Sequence, residues 1–306
     1  MLPERPWKLE ALIRLAVSVF LCFCAGYIVS VALPAISAGK ASLRLFAVDG
    51  LGLACLAAAM VLVRRSWAEG NAARRLLLVL VCAYSGMLLG FWGQHLAGTS
   101  KASVSTGQML TALASFQGAL LVFVPGFVRE HELGLTDAFG LTQRWQVALA
   151  AGVFAACIFF PLGLMIQQIM GWLMENLPYF HVQPTPQQAV QTIRSANTWF
   201  DRITLAAATI IIVPISEEVL FRGILYTWIR NLGFKKLALV GTSLAFAIVH
   251  FYVQGLPALF LLAIILGVLY ERTGNLVAPI VAHSVFNTLN LIVLYGFQNE
   301  LQQQPY

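Results

Sequence analysis

The stretch Trp145-Gln-Val-Ala-Leu-Ala-Ala-Gly-Val-Phe-Ala-Ala-Cys-Ile-Phe-Phe-Pro-Leu-Gly-Leu-Met-Ile-Gln-Gln-Ile-Met-Gly-Trp-Leu173 contains no charged residue. A helix rises ~1.5 Å per residue, so roughly 20 apolar residues cross the ~30 Å hydrocarbon layer of a bilayer. The stretch exceeds that need, and most of the other apolar runs have seventeen residues or more. Across the 306 residues, 59% are hydrophobic and 10% charged, with a mean hydropathy of +0.79. Soluble domains carry about 25% charged residues, so water is not the main solvent of this chain. The pattern predicts an all-α, polytopic transmembrane helical bundle. Nine spans can be marked: Ala11–Ile36, Leu45–Val63, Leu76–Ala97, Met109–Val128, Trp145–Leu173, Trp199–Ile215, Leu237–Val253, Leu256–Tyr270 and Leu276–Tyr295. The eighth is short, and eight spans is the alternative count.

The formal charge of +6 does not point to nucleic acid. The basic residues sit in short blocks between apolar runs, where they set membrane orientation. With a cytoplasmic N-terminus, fourteen of them fall on the inner side, among them Arg64, Arg65, Arg74, Arg75, Arg230, Lys235 and Lys236. Five fall outside: Lys40, Arg44, Lys101, Arg194 and Arg202. Trp145, Trp172, Trp199 and Trp228 lie near span ends, where indole rings prefer the interface. The five cysteines all lie inside apolar runs and read as small packing residues rather than a disulfide framework. The first apolar run is longer than a secretory-signal core and reads as a membrane helix. The polar, proline-containing stretch Pro178–Asn197 reads as an outer loop. It divides an N-terminal transmembrane region of unknown role (1–197) from a C-terminal core (198–297), with a short tail at 298–306.

Strongly polar residues within the apolar runs concentrate in the core. A charge at the centre of a membrane helix costs several kcal/mol on the milder scales, roughly 2.5–3.5, and calls for a reason. The first group is Pro214-Ile-Ser-Glu217-Glu218-Val-Leu-Phe-Arg222-Gly223. Adjacent residues on a helix point about 100° apart, so the two acids do not share a role. Glu218 and Arg222 have the spacing and direction of an intrahelical ion pair, which leaves Glu217 free. Pro214 predicts a bend just before the pair. The second group is Phe246-Ala-Ile-Val-His250, and the third is His283-Ser-Val-Phe-Asn287, whose end residues share one helix face. Singly, the first reads equally as a charge cluster ending a span, and a lone histidine as a group bonding its neighbour. Together, three helices would turn one carboxylate, two imidazoles and an amide inward to meet. A carboxylate and a histidine can hold a water and take its proton. A second imidazole and an amide can donate to the oxyanion of a tetrahedral intermediate.

Glu-Glu-x-x-x-Arg, Phe-x-x-x-His and His-x-x-x-Asn, in that order on successive helices, resemble the CPBP family of intramembrane proteases (CAAX protease and bacteriocin-processing). The run Leu266-Gly-Val-Leu-Tyr-Glu-Arg-Thr-Gly-Asn-Leu276 resembles the family's approach to its last motif. The resemblance covers about Trp199 to Tyr295. It implies an intramembrane endopeptidase in which Glu217 is the general base, working with His250, while His283 and Asn287 form the oxyanion hole. Glu218 and Arg222 would be supporting residues. It implies no cofactor, with zinc on Glu217, His250 and His283 left open. The substrate would be a membrane-associated protein or peptide, the setting the lipid bilayer of a bacterial cytoplasmic membrane, and nucleic acid is no partner. Two other classes fit the same motifs. One is a non-catalytic bacteriocin-immunity or scaffold protein. The other is a proton-coupled transporter, for which repeated halves with paired broken helices would be expected; the sequence shows no internal repeat.

The orientation is testable. Single cysteines placed in Arg64–Arg75, Arg230–Lys236 and Pro178–Asn197, in a chain lacking the native five, should react with an impermeant maleimide in intact cells only at the last. Labelling of the first loop without the last would reverse the topology.

Overall fold

The computed structural model describes residues 5–37, 39, 42–64, 72–97, 105–176, 188–196 and 198–296. Among them every regular element is a helix and there is no strand. The helices are α1 (Leu9–Ser37), α2 (Leu43–Arg64), α3 (Ala72–Ala97), α4 (Thr106–Glu130), α5 (Leu135–Phe139), α6 (Trp145–Asn176), α7 (Gln188–Ser195), α8 (Trp199–Asn231), α9 (Lys235–Ile248), α10 (Leu256–Thr273) and α11 (Val277–Gly296). Eight of these are long and apolar enough to cross a membrane: α1–α4, α6, α8, α10 and α11. The chain is a polytopic helical bundle, as its composition demands. Most of the proposed outer loop, 177–187, and the basic connection at 65–71 lie outside the described residues, as does the tail from 297. Within the described end of the outer loop, Gln188–Ser195 is helical rather than irregular.

The seventh of the nine expected spans is corrected, which leaves the alternative count of eight. The run Leu237–Val253 does not form one continuous helix. α9 covers only Lys235–Ile248, fourteen residues, and the chain leaves helical geometry before His250. Its last turn tightens, with the N–H groups of His250 and Phe251 bonding three residues back, to the carbonyls of Ala247 and Ile248. Phe251 then takes a left-handed φ of +47° that an α-helix cannot continue through. Hydropathy is blind to this stop, because every residue involved is compatible with a buried helix.

The chain packs as two compact units. One holds α1–α4, between Trp7 and His131. Its core joins Leu21, Cys24 and Ile28 of α1 to Leu56, Ala59 and Val63 of α2 and to Val79 and Ala83 of α3. Ser105 starts α4 with a capping box. Its hydroxyl accepts from the Gln108 N–H, and the Gln108 side chain accepts from the Ser105 N–H.

The other unit holds α5–α11, so it takes in α5 and α6 ahead of the motif-bearing helices. Its core joins Ala156 and Phe159 of α6, Leu262 and Leu266 of α10, and Ala282 and Phe286 of α11. α8 begins where the Thr198 hydroxyl accepts from the Asp201 N–H. It carries two π-helical segments, Ala208–Ile212 and Val219–Tyr226, on either side of the acidic pair. The first immediately precedes Pro214, whose missing N–H and ring displace the regular ladder. Where the sequence predicts a bend before the acids, the structure shows a π-helical segment.

The α10–α11 corner fixes where the last motif begins. Gly274, with φ +66°, ends α10 with its N–H on the Tyr270 carbonyl. Asn275 is fully buried. Its amide donates to the carbonyls of Leu141 (3.3 Å) and Gln143 (2.7 Å), and its Oδ1 accepts from the Val277 N–H at the start of α11. The partner segment passes close because Gly140 faces the Gly274 carbonyl, where a β-carbon would collide. Asn275→Ala removes the donor for two carbonyls. A fully buried group left unsatisfied costs about 1–3 kcal/mol; both bonds are only partly buried, so the variant should lose about 1–3 kcal/mol in total, seen as a lower melting temperature in detergent. A variant that melts like the wild type would show that the corner does not hold α11.

Candidate active site

The three polar motifs converge inside the second unit. Glu217 and Glu218 sit on α8 between its two π-helical segments, His283 and Asn287 one turn apart on α11, and His250 just past the end of α9. Glu218 is completely buried. Its Oε1 accepts from the Arg222 guanidinium at 2.7 Å and from His283 Nδ1 at 3.0 Å. Arg222, itself 1% exposed, also donates to the Ala263 carbonyl on α10 at 2.9 Å. The ion pair implied by the spacing of Glu218 and Arg222 is thus formed, and it extends onto two further helices.

Glu217 faces the other way. Its Oε2 lies 3.9 Å from His250 Nε2 and 4.0 Å from His283 Nε2, is buried, and has no hydrogen-bond partner within the protein. Both imidazoles are oriented through their other nitrogen. His250 Nδ1 is 2.7 Å from the Phe246 carbonyl, which can only accept, so Nδ1 carries the proton. His283 Nδ1 faces the Glu218 carboxylate and donates in the same way. In the neutral rings, each Nε2 therefore presents a lone pair toward Glu217. Two acceptors bonded linearly to one water at ~2.8 Å would stand roughly 4.4 Å apart, slightly wider than either spacing.

Phe246 is the side chain on which these groups rest. It is fully buried, with ring centroids 4.7 Å from His250, 5.6 Å from His283 and 5.3 Å from Phe221. The Arg222 guanidinium lies 4.7 Å from its ring centre. This explains why a phenylalanine stands four residues before the histidine. Its ring supports His250, His283 and Arg222, and its carbonyl sets the tautomer of the His250 imidazole. Asn287 is attached differently. Its amide nitrogen donates to the Thr209 carbonyl, in the first π-helical segment, at 2.9 Å. An amide carries two N–H groups, so one remains for other use.

The structure thus brings Glu217 within 4.0 Å of both His250 and His283, with Glu218 and Arg222 behind them and Asn287 one turn along α11. Sequence reasoning did not find the contributions of the Thr209 and Ala263 carbonyls. Backbone acceptors leave no mark in a sequence, although a proline five residues after Thr209 signals a disturbed ladder there.

Residues 199–289 match the family model described as type II CAAX prenyl endopeptidase Rce1-like, a model of the CPBP family. The chain is 35% identical over 118 residues to an uncharacterized 24.3 kDa protein of Escherichia coli, a match covering 35% of this chain and 52% of that protein. It is 35% identical over 83 residues to the uncharacterized protein YpbD of Bacillus subtilis, covering 26% and 40% of the two chains. It is 42% identical over 79 residues to the UPF0177 protein YxdF of Lactococcus lactis, covering 25% and 42%. The chain spans about half the length of these relatives or less. No solved structure matches it significantly.

A buried ion pair broken on one side leaves an uncompensated charge, at a cost of about 3–5 kcal/mol. Arg222→Met should therefore destabilise the protein by that amount, and the double variant Glu218→Leu/Arg222→Met should recover part of the loss. Thermal unfolding in detergent measures both. A double variant as unstable as the sum of its parts would show that the pair is not the strut of the site.

Proposed function

We propose that the chain is an intramembrane endopeptidase that hydrolyses a peptide bond of a membrane-associated protein or peptide through a glutamate-activated water. The observation that carries this reading is the single unpartnered carboxylate oxygen of Glu217 facing two imidazole Nε2 atoms at 3.9 and 4.0 Å, both rings anchored through Nδ1. The match of residues 199–289 to a prenyl endopeptidase family model supports the same class of chemistry.

In this mechanism water binds between Glu217 and His250. As its oxygen attacks the scissile carbonyl carbon, its proton passes to Glu217, and the carbonyl becomes an oxyanion. His283, protonated on both nitrogens, and the remaining N–H of Asn287 donate to that oxygen. The Glu218 carboxylate lies 3.0 Å from His283 Nδ1, on the side of the ring away from that oxygen. Collapse breaks the C–N bond, and Glu217 returns its proton to the leaving amine. No covalent enzyme intermediate forms.

The donor set Glu217, His250 and His283 also has the chemistry of a zinc site, and imidazole ligands are commonly anchored through their second nitrogen. Bound there, zinc would supply an activated water. Among the described residues, no group of three His, Cys, Asp or Glu side chains is gathered closely enough to hold a metal ion. No step here is routed through one. Asn287 favours the oxyanion reading, since an amide is a poor zinc ligand and a good donor.

Glu217→Gln keeps the shape and removes the base, so it should abolish cleavage of a peptide library by detergent-purified protein while leaving the fold intact. Asn287→Ala should lower turnover by about a hundredfold or more with little change in peptide binding. Wild-type activity should persist through exhaustive chelation. A stoichiometric zinc whose removal ends activity and whose return restores it would replace the glutamate mechanism. A wild type that binds peptides without cleaving them would instead support a scaffold protein.

A further inference from the structure

His250 stands in a turn whose own side chains do little to hold it. Its N–H bonds the Ala247 carbonyl, and the Phe246 carbonyl is taken by His250 Nδ1 at 2.7 Å. That bond sets the tautomer and tilt of the ring. It moves with the end of α9, however, and does not tie the turn to the rest of the core. The chain then passes through Phe251 at φ +47°, a left-handed backbone unfavourable for a bulky side chain. The Phe251 ring is 91% exposed, and Val249 and Val253 are exposed too, so packing within the protein does not maintain this conformation. A strained residue persists where the structure around it over-determines it, which calls for a restraint at each end of the turn.

On the α10 side that restraint is Gln254. Its Nε2 donates to the Gln167 carbonyl of α6 at 3.2 Å. Among the described residues this is the one side-chain hydrogen bond that runs from 249–255 to another helix. Gly171, one turn further along α6, makes the bond possible. A β-carbon there would stand 2.8 Å from Gln254 Nε2, so the missing side chain uncovers the carbonyl and leaves the amide room to reach it. Gly255 has the matching part inside the turn, since a β-carbon there would stand 2.2 Å from the Tyr252 ring that closes over it. The choice of α6 as anchor matters for the site. Its Phe159 packs on Phe286 of α11, the helix that carries His283. Gln254 thereby fixes the turn bearing one imidazole to the scaffold bearing the other.

We infer that Gln254 is a positioning residue, whose bond to α6 across Gly171 holds the His250 imidazole 3.9 Å from Glu217; its catalytic consequence rests on the endopeptidase reading above. The test uses full-length protein in detergent, comparing wild type with Gln254→Glu, Gln254→Ala, Gly171→Ala and the double variant Gly171→Ala/Gln254→Ala. Glutamate keeps the shape of the side chain and loses the N–H donor. One readout is kcat and KM on the peptides that the wild type cleaves. The other is the rate at which diethyl pyrocarbonate modifies His250, relative to the exposed His95 of α3, followed by mass spectrometry. Each single variant should melt close to the wild type, lose about tenfold or more of kcat with KM little changed, and show His250 modified several-fold faster. The double variant should be no worse than Gln254→Ala, because both changes break one contact. Wild-type kcat or unchanged His250 reactivity in the single variants would overturn the inference. So would a loss confined to KM, additive losses in the double variant, or a melting temperature that falls in step with kcat. A wild type that cleaves nothing would overturn the endopeptidase reading, while the modification rates would still decide whether Gln254 holds His250.

Discussion

Everything around the candidate site hangs on one buried carboxylate. Glu218 is shielded from all solvent, and a lone charge in such surroundings costs far more than a helix of this length can offset. Arg222 and His283 both donate to its Oε1, which commits α8 and α11 to a fixed approach. Arg222 in turn reaches the Ala263 carbonyl of α10 and lies over the Phe246 ring of α9. One acid thereby sets the mutual placement of four helices. Burying the charge adds little to stability by itself. What it adds is uniqueness, since any slip of one helix strands the carboxylate.

The second theme is the use of irregular helix. In hydrocarbon every backbone polar group must be satisfied internally, so each break in a ladder frees an acceptor that must be used. Before Pro214 the widened helix leaves the Thr209 carbonyl to the Asn287 amide. At the end of α9 the Phe246 carbonyl goes to His250. Both motif side chains on these contacts are oriented by carbonyls that a regular helix would have kept. π-helical turns cluster at functional sites for this reason.

Glycines and the Asn275 corner give the site its frame. A β-carbon at Gly223 would stand 2.6 Å from the Phe139 ring, so the residue after Arg222 must be small for α5 to pack there. Asn275 then links the same 139–143 segment to the first turn of α11, whose Val277 end lies six residues before His283. The run Glu-Arg-Thr-Gly-Asn before the last motif thus has a geometric role, setting the height at which His283 meets Glu218.

Taken alone, the amino-acid sequence dictates the solvent and the helical class, and it offers the candidate members of the site. Charge-free runs such as Trp145–Leu173 admit no other structure in a bilayer, and the ion-pair spacing of Glu218 and Arg222 is local to one helix. The four-residue separation of His283 and Asn287 likewise places both on one face. Helix pattern could not reveal where α9 stops, because its last residues are as apolar as a span requires and the stop lies in the dihedral angles of Phe251. It could not show that Glu217 meets both imidazoles, a contact between residues more than thirty positions apart. Nor could it show that α6 packs with the motif-bearing helices, since an apolar helix face carries no label for its partner. Those facts are settled by the packing of helices and by backbone carbonyls, which come into view only once the chain is folded.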